Sequence, residues 1–119
     1  MRRPIIAGNW KMNKMVGEAV SLIDELKTLL KYEEDVEIVV CPPYTALSKS
    51  AQALQGTSMK LGAQDMYWEQ NGAYTGEISS AMLKDIGCQY VIIGHSERRQ
   101  YFSEDDTIVN KKIKAAKKD

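Results

Sequence analysis

A chain of 119 residues, 44% hydrophobic and 27% charged, has the composition of a folded globular protein, which excludes intrinsic disorder as the starting assumption. Sixteen Lys and Arg balance sixteen Asp and Glu, which removes the bulk-charge argument for a nucleic-acid or anionic-membrane partner. No apolar run is long enough to span a bilayer, and Met1-Arg-Arg-Pro-Ile-Ile-Ala-Gly is too short for the apolar core of a signal peptide, so a cytoplasmic protein is expected.

Taken in order, the chain alternates short apolar runs with helical patterns. Ile5-Ile6-Ala7-Gly8 predicts a first strand, followed by a helix with Val16, Ala19, Val20, Ile23, Leu26 and Leu30 on one face. Val36–Cys41 is the clearest strand, stopped by Pro42-Pro43, and a weaker helical stripe of Leu47, Ala51 and Leu54 follows. Lys60–Ala63 predicts a third strand leading into a long loop with Gly and Asn. Ser79 or Ser80 caps a short helix carrying Met82, Leu83 and Ile86, with Gly87 as its stop. Tyr90–Ile93 predicts the fourth strand. Ser103-Glu104-Asp105-Asp106 reads as a capping box opening a last helix with Ile108, Val109, Ile113 and Ala116 inward and a solvated, lysine-rich end at Lys114–Lys118.

Strands alternating with helices predict βαβ units and a parallel α/β sheet, and the apolar runs predict strands covered on both faces. No composition break marks a domain boundary, so residues 1–119 are expected to form one unit. In a parallel sheet every strand ends on the same side. Asn9, Trp10, Lys11 and Asn13 follow the first strand, Pro42, Pro43 and Tyr44 the second, Gln64 and Asp65 the third, and His95, Ser96 and Glu97 the fourth. Loops at the opposite ends carry plain connector residues. Reactive side chains gathered on the carboxyl side point to a site there.

The chemistry follows from the residue types. Cationic Lys11 with His95 near a helix start suits an anionic or carbonyl-bearing small molecule. The helix dipole disfavours imidazolium, so His95 is expected to stay neutral and donate a hydrogen bond to an enolate-like oxygen. Cys41 and Cys88 read as small buried hydrophobes, and one His with two distant Cys makes no zinc site. No Gly-x-Gly-x-x-Gly or Walker pattern follows a strand, which sets aside a nucleotide-binding module.

Five motifs in order carry a resemblance. Gly8-Asn9-Trp10-Lys11-Met12-Asn13, Cys41-Pro42-Pro43, Gly62-Ala63-Gln64-Asp65, Gly72-Ala73-Tyr74-Thr75-Gly76-Glu77-Ile78-Ser79 and Gly94-His95-Ser96-Glu97-Arg98-Arg99 together resemble triosephosphate isomerase over essentially the whole chain. The resemblance implies a parallel (βα)4 half of a (βα)8 TIM barrel. It also implies an intramolecular isomerase of triose phosphates, working in glycolysis and gluconeogenesis without cofactor or metal. It makes Asn9 and Lys11 substrate-binding, His95 the electrophile, and Glu97 the group that supports Lys11 and His95. Gln64, Tyr74, Thr75 and Gly76 would belong to the family's dimer loop.

A full barrel of this type needs about 250 residues and eight units. With four units, the proton-abstracting glutamate, the lid and the late phosphate loops are expected to come from elsewhere, and the chain alone is expected to be inactive or nearly so. Two partners are therefore expected for the open edges: a complementary C-terminal half-barrel, or a second copy in a catalytically silent, self-associating half-barrel.

Overall fold

The computed structural model describes residues 2–119. Four strands, β1 (Ile5–Asn9), β2 (Glu37–Cys41), β3 (Lys60–Ala63) and β4 (Tyr90–Val91), form one parallel sheet in the order β1-β2-β3-β4. Helices α1 (Val16–Leu29), α2 (Tyr44–Ala53) and α3 (Ser80–Asp85) connect them, and α4 (Ser96–Tyr101) and α5 (Asp106–Lys118) follow β4. Register runs Ile5↔Glu37 to Asn9↔Cys41, then Val39↔Lys60, then Gly62↔Tyr90, so the carboxyl ends of all four strands share one rim.

Local chemistry explains the boundaries. β2 is a β-branched run whose stiff side chains suit a pleated surface. Pro42 and Pro43 lack the amide that would continue the ladder, and Pro43, at φ −62° and ψ 159°, turns the chain directly into α2. The Ser79 hydroxyl accepts the Met82 amide at 3.2 Å to open α3, and Gly87 at φ +100° closes that turn. At α1 the Glu18 carboxylate reaches back 3.0 Å to the Met15 amide.

The alternation of side chains across the sheet separates two faces. A Cβ placed on Gly62 would meet Cys41 Sγ at 2.7 Å, Val39 Cγ1 at 3.1 Å and Tyr90 Cβ at 3.4 Å, so these residues share the face away from the helices. The opposite face sends Val40, Leu61 and Ala63 into a core with Ile23, Leu47, Leu54, Met59, Met66 and Leu83. Burial of that layer is the main term holding the helices to the sheet.

Four expectations are corrected. β1 is not covered on both faces: Ile5 and Ile6 are 54% and 59% exposed, because β1 is an edge strand bonded only to β2. The last helix is not opened by a Ser103 capping box. Ser103 sits at φ +57°, and it is Asp105 whose carboxylate accepts the Ile108 amide at 2.9 Å. Ile113 is 42% exposed, and the buried stripe of α5 runs through Val109 and Lys112 instead. Ladder pairing of β4 also ends at Val91, though the Ile92 amide still donates to Ala63 O at 2.9 Å.

Gly94 marks the turn from β4 into α4. It stands at φ +69°, and a Cβ there would lie 2.9 Å from Val109 Cγ2. Gly94→Ala therefore combines left-handed strain with overpacking, and it should destabilise the fold by about 2–4 kcal/mol in urea unfolding. Val109→Ala in the same chain should recover part of that loss, because it removes the clash and leaves only the strain.

Candidate active site

The carboxyl rim gathers Asn9, Lys11, Gln64, His95 and Glu97 around a cleft of about 250 Å³, with Tyr44 and Phe102 among its walls. Three roomier hollows, about 330, 550 and 390 Å³, lie between α3, β4 and the end of α5, between α1 and the approach to β3, and between α1 and the β1–β2 pair. None of them brings an imidazole beside a carboxylate and an ammonium, so the chemistry rather than the volume locates the site.

Lys11 is held in an uncommon conformation. Its φ of +56° costs a non-glycine residue about 1–3 kcal/mol. The Lys11 amide donates to Asn9 Oδ1 at 2.9 Å, and the Lys11 carbonyl accepts from Gln64 Nε2 at 2.9 Å. Its ammonium lies 2.8 Å from Glu97 Oε2. That hydrogen bond, helped by the charges of Lys11 and nearby His95, holds the Glu97 carboxyl below its usual range against partial desolvation.

His95 is the N-cap of α4. Its Nδ1 accepts the Glu97 amide at 3.0 Å, so the Nδ1 lone pair is in use and a neutral ring carries its proton on Nε2. The Glu97 carboxylate is 3.6 Å from the same nitrogen, too long for a hydrogen bond, which makes the backbone amide the defining contact. One helix start thus fixes both the orientation and the tautomer of the ring. A neutral Nε2–H beside an ammonium can stabilise a developing oxyanion.

Behind the cleft lies a buried ionic cluster that the sequence did not announce. Lys112 Nζ is 2.8 Å from Asp65 Oδ1 and 2.5 Å from Glu104 Oε2, and Arg98 Nε is 2.5 Å from Glu104 Oε2 and 3.2 Å from Asp65 Oδ2. Asp65, Glu104 and Lys112 are 6%, 6% and 3% exposed, which places two carboxylates and an ammonium out of water with Arg98 at the edge. Asp65 and Arg98 stand in motifs read from sequence. Glu104 and Lys112 were missed; the only signal was that Lys112 lies three residues after Val109, on the same helical face.

Both carboxylates that line the cleft are already paired, Glu97 with Lys11 and Asp65 with Lys112 and Arg98. Burial pushes the thiols of Cys41 and Cys88 up to about 11, so neither is a nucleophile at neutral pH. Burial, with Asp65 next, likewise raises Tyr44, whose hydroxyl donates to the Asp65 carbonyl. Among the described residues no group of three or more His, Cys, Asp or Glu is arranged to hold a metal ion.

Tyr74, Thr75 and Gly76 lie on an exposed loop and do not line the cleft. The Tyr74 ring rests on Tyr67 with centroids 4.7 Å apart, and Tyr67 stacks on Trp68 at 4.0 Å. Gln64, expected on the carboxyl rim after the third strand, stands inside the site, where its amide bridges Lys11 O and Cys41 O.

A parallel sheet with helices on one face, and a Lys–Glu–His set on its carboxyl rim, is the architecture of an α/β-barrel enzyme seen over four units. Comparison with known proteins makes this specific. The family model described as triosephosphate isomerase matches residues 4–119, and the chain belongs to that family. It is 61% identical over 119 residues to the triosephosphate isomerase of Alkaliphilus oremlandii, covering 100% of this chain and 48% of that protein. It is 60% identical over 116 residues to that of Dictyoglomus turgidum, covering 98% of this chain and 47% of that protein. The crystal structure of triosephosphate isomerase from Bartonella henselae superposes with a TM-score of 0.91 at 42% identity, over 98% of this chain and 48% of that one. The fold is thus the N-terminal half of a TIM barrel, and the chain spans about half the length of the relatives it matches.

The ionic cluster has a pH signature. Although its own burial opposes ionisation, the Lys112 and Arg98 contacts hold the Glu104 carboxyl below its usual 4.5. A carboxyl depressed in the folded state binds its proton more readily when unfolded. Its contribution is therefore complete above the unfolded value and is lost as pH falls through the folded one. The thermal midpoint should fall as pH is lowered from 6 to 3, and Glu104→Gln should lower the midpoint at pH 7 while flattening that slope.

Proposed function

We propose that this chain supplies the electrophilic, substrate-binding half of a triose-phosphate isomerase that interconverts dihydroxyacetone phosphate and D-glyceraldehyde 3-phosphate. The observation that carries the reading is the His95 geometry. With Nδ1 occupied by the Glu97 amide, the ring offers Nε2–H, and Lys11 adds positive charge on the same rim.

In the proposed reaction Asn9 and Lys11 bind the triose phosphate, Lys11 offsetting the charge of the phosphate and of the enediolate. His95 polarises the carbonyl and passes a proton between the two oxygens as the double bond moves. Glu97 is a positioning residue for Lys11 and, through its backbone amide, for His95. The carbon-bound proton must go to a base, and the paired carboxylates of this cleft are poorly suited to take it. That step is assigned to a C-terminal (βα)4 half, which would also bring a lid and phosphate loops and pair along the free edges of β1 and β4. Residues 1–119 would be one incomplete barrel domain, working in the cytoplasm, and Tyr74, Thr75 and Gly76 would contact a second enzyme unit in a dimer.

Mixing this chain with a C-terminal (βα)4 half at equal stoichiometry should produce isomerase activity, and either half alone should stay at the buffer rate. Within the mixture, His95→Gln should lower kcat about 10²–10³-fold, the loss that follows removal of one oxyanion donor. A purified, stoichiometric complex without isomerase activity would sink the proposal.

The exposed Ile5 and Ile6 on an edge strand favour a second reading, a half-barrel that pairs with its own copy and catalyses nothing. Light scattering on the chain alone should then give twice its 13.4 kDa mass, and Ile6→Lys should restore the single mass. A chain that remains at single mass at high concentration removes this reading.

A further inference from the structure

We propose that Gln64 is a positioning residue for Lys11, holding its backbone in the left-handed conformation from which the ammonium reaches Glu97; this rests on the functional reading above. Lys11 has no conformational reason of its own to sit at φ +56°. Three contacts surround it: its amide on Asn9 Oδ1, its ammonium on Glu97 Oε2 at 2.8 Å, and its carbonyl under Gln64 Nε2. The first comes from two residues away and moves with the loop. The second is a half-exposed pair that long side chains can exchange for water. Among the described residues, Gln64 alone ties the Lys11 backbone to a different strand.

The geometry of that tie is specific. Gln64 directly follows β3 and uses its Nε2 twice, 2.9 Å to the Lys11 carbonyl and 2.8 Å to the Cys41 carbonyl. The Cys41 carbonyl also accepts the Trp10 amide at 3.1 Å. One amide therefore joins the loop after β1 to the ends of β2 and β3, and its Cys41 acceptor is a backbone atom that cannot move without moving β2. A carboxylate in its place would point lone pairs at two carbonyls, and a methionine would fill the same volume without a donor.

Trypsin reads this directly, because it must draw the bond after Lys11 into an extended conformation. Met12 is exposed, so access does not protect that bond. Lys60, inside β3, reports opening of the whole sheet. In Gln64→Met the cleavage rate at Lys11 relative to Lys60 should rise about tenfold, and Gln64→Glu should raise it further. An unchanged ratio, a parallel rise at both sites, or equal cleavage of the two bonds in the unaltered chain overturns the proposal. A second arm uses the complex with the C-terminal half. Gln64→Met should raise KM about tenfold there, yet add nothing in a Lys11→Met background, since it acts through that side chain. Full additivity of the two substitutions also overturns it. Absence of isomerase activity would fall on the functional reading, and the protease ratio would still decide the role of Gln64.

Discussion

Four charged groups set against one another behind the sheet, Asp65, Arg98, Glu104 and Lys112, are the constraint on which the rest of this structure depends. They come from the end of β3, from α4, from the turn after it and from α5, so a single electroneutral cluster fixes the relative placement of four segments. The hydrophobic layer holds helices to sheet but is tolerant of small sliding. Charges out of water are not tolerant: removing one partner leaves another buried and unpaired, a loss of about 3–5 kcal/mol. The cluster thereby exchanges stability that apolar residues of similar volume would supply for a defined position of α4. Arg98 is the link, because it adjoins Glu97 and shares a six-residue helix with it.

From that anchor the candidate site follows by short steps. α4 has a fixed start, so His95 caps it, so the Nδ1 lone pair is spent on the Glu97 amide. The Glu97 carboxylate is then free to reach across to Lys11, whose backbone strain is held by bonds from the ends of the other strands. The polar groups of the cleft are oriented by one another and by the strand ends and helix start that carry them. Pre-orientation of this kind lets an ammonium and a ring N–H meet a developing charge without first rearranging.

Much of this was legible in the sequence, for identifiable reasons. Strand β3 was readable at its observed bounds, and β2 to within one residue, because Pro42-Pro43 allowed no other ending. The joint placement of Lys11, His95 and Glu97 was readable because parallel strands put all their ends on one rim. The failures share a cause. Periodicity assigns lysine and glutamate to water, so Lys112 and Glu104 could not be recognised as core without knowing that each would meet the other. Ile113 looked inward because an apolar residue at that spacing usually is, and Lys112 had taken its place. Ser103 resembled a cap, but its left-handed backbone turns the chain so that Glu104 enters the cluster, and capping passes to Asp105.

The exposed edge and the paired carboxylates point the same way. A β1 strand with Ile5 and Ile6 in water is a poor final state for a protein, and a cleft whose acids are already committed to cations is a poor place to abstract a proton. On the proposed reading both deficits would be met by one addition, a second set of βα units that covers the edge and brings an uncommitted carboxylate across the cleft. The electrophile can be built on half a barrel, because a helix start, a lysine and a few backbone bonds are all local to consecutive units. A base placed beside Lys11 or the cations of the buried cluster would have its pKa lowered and be weakened. On the proposed reading, placing the base on the other half would keep it away from those cations.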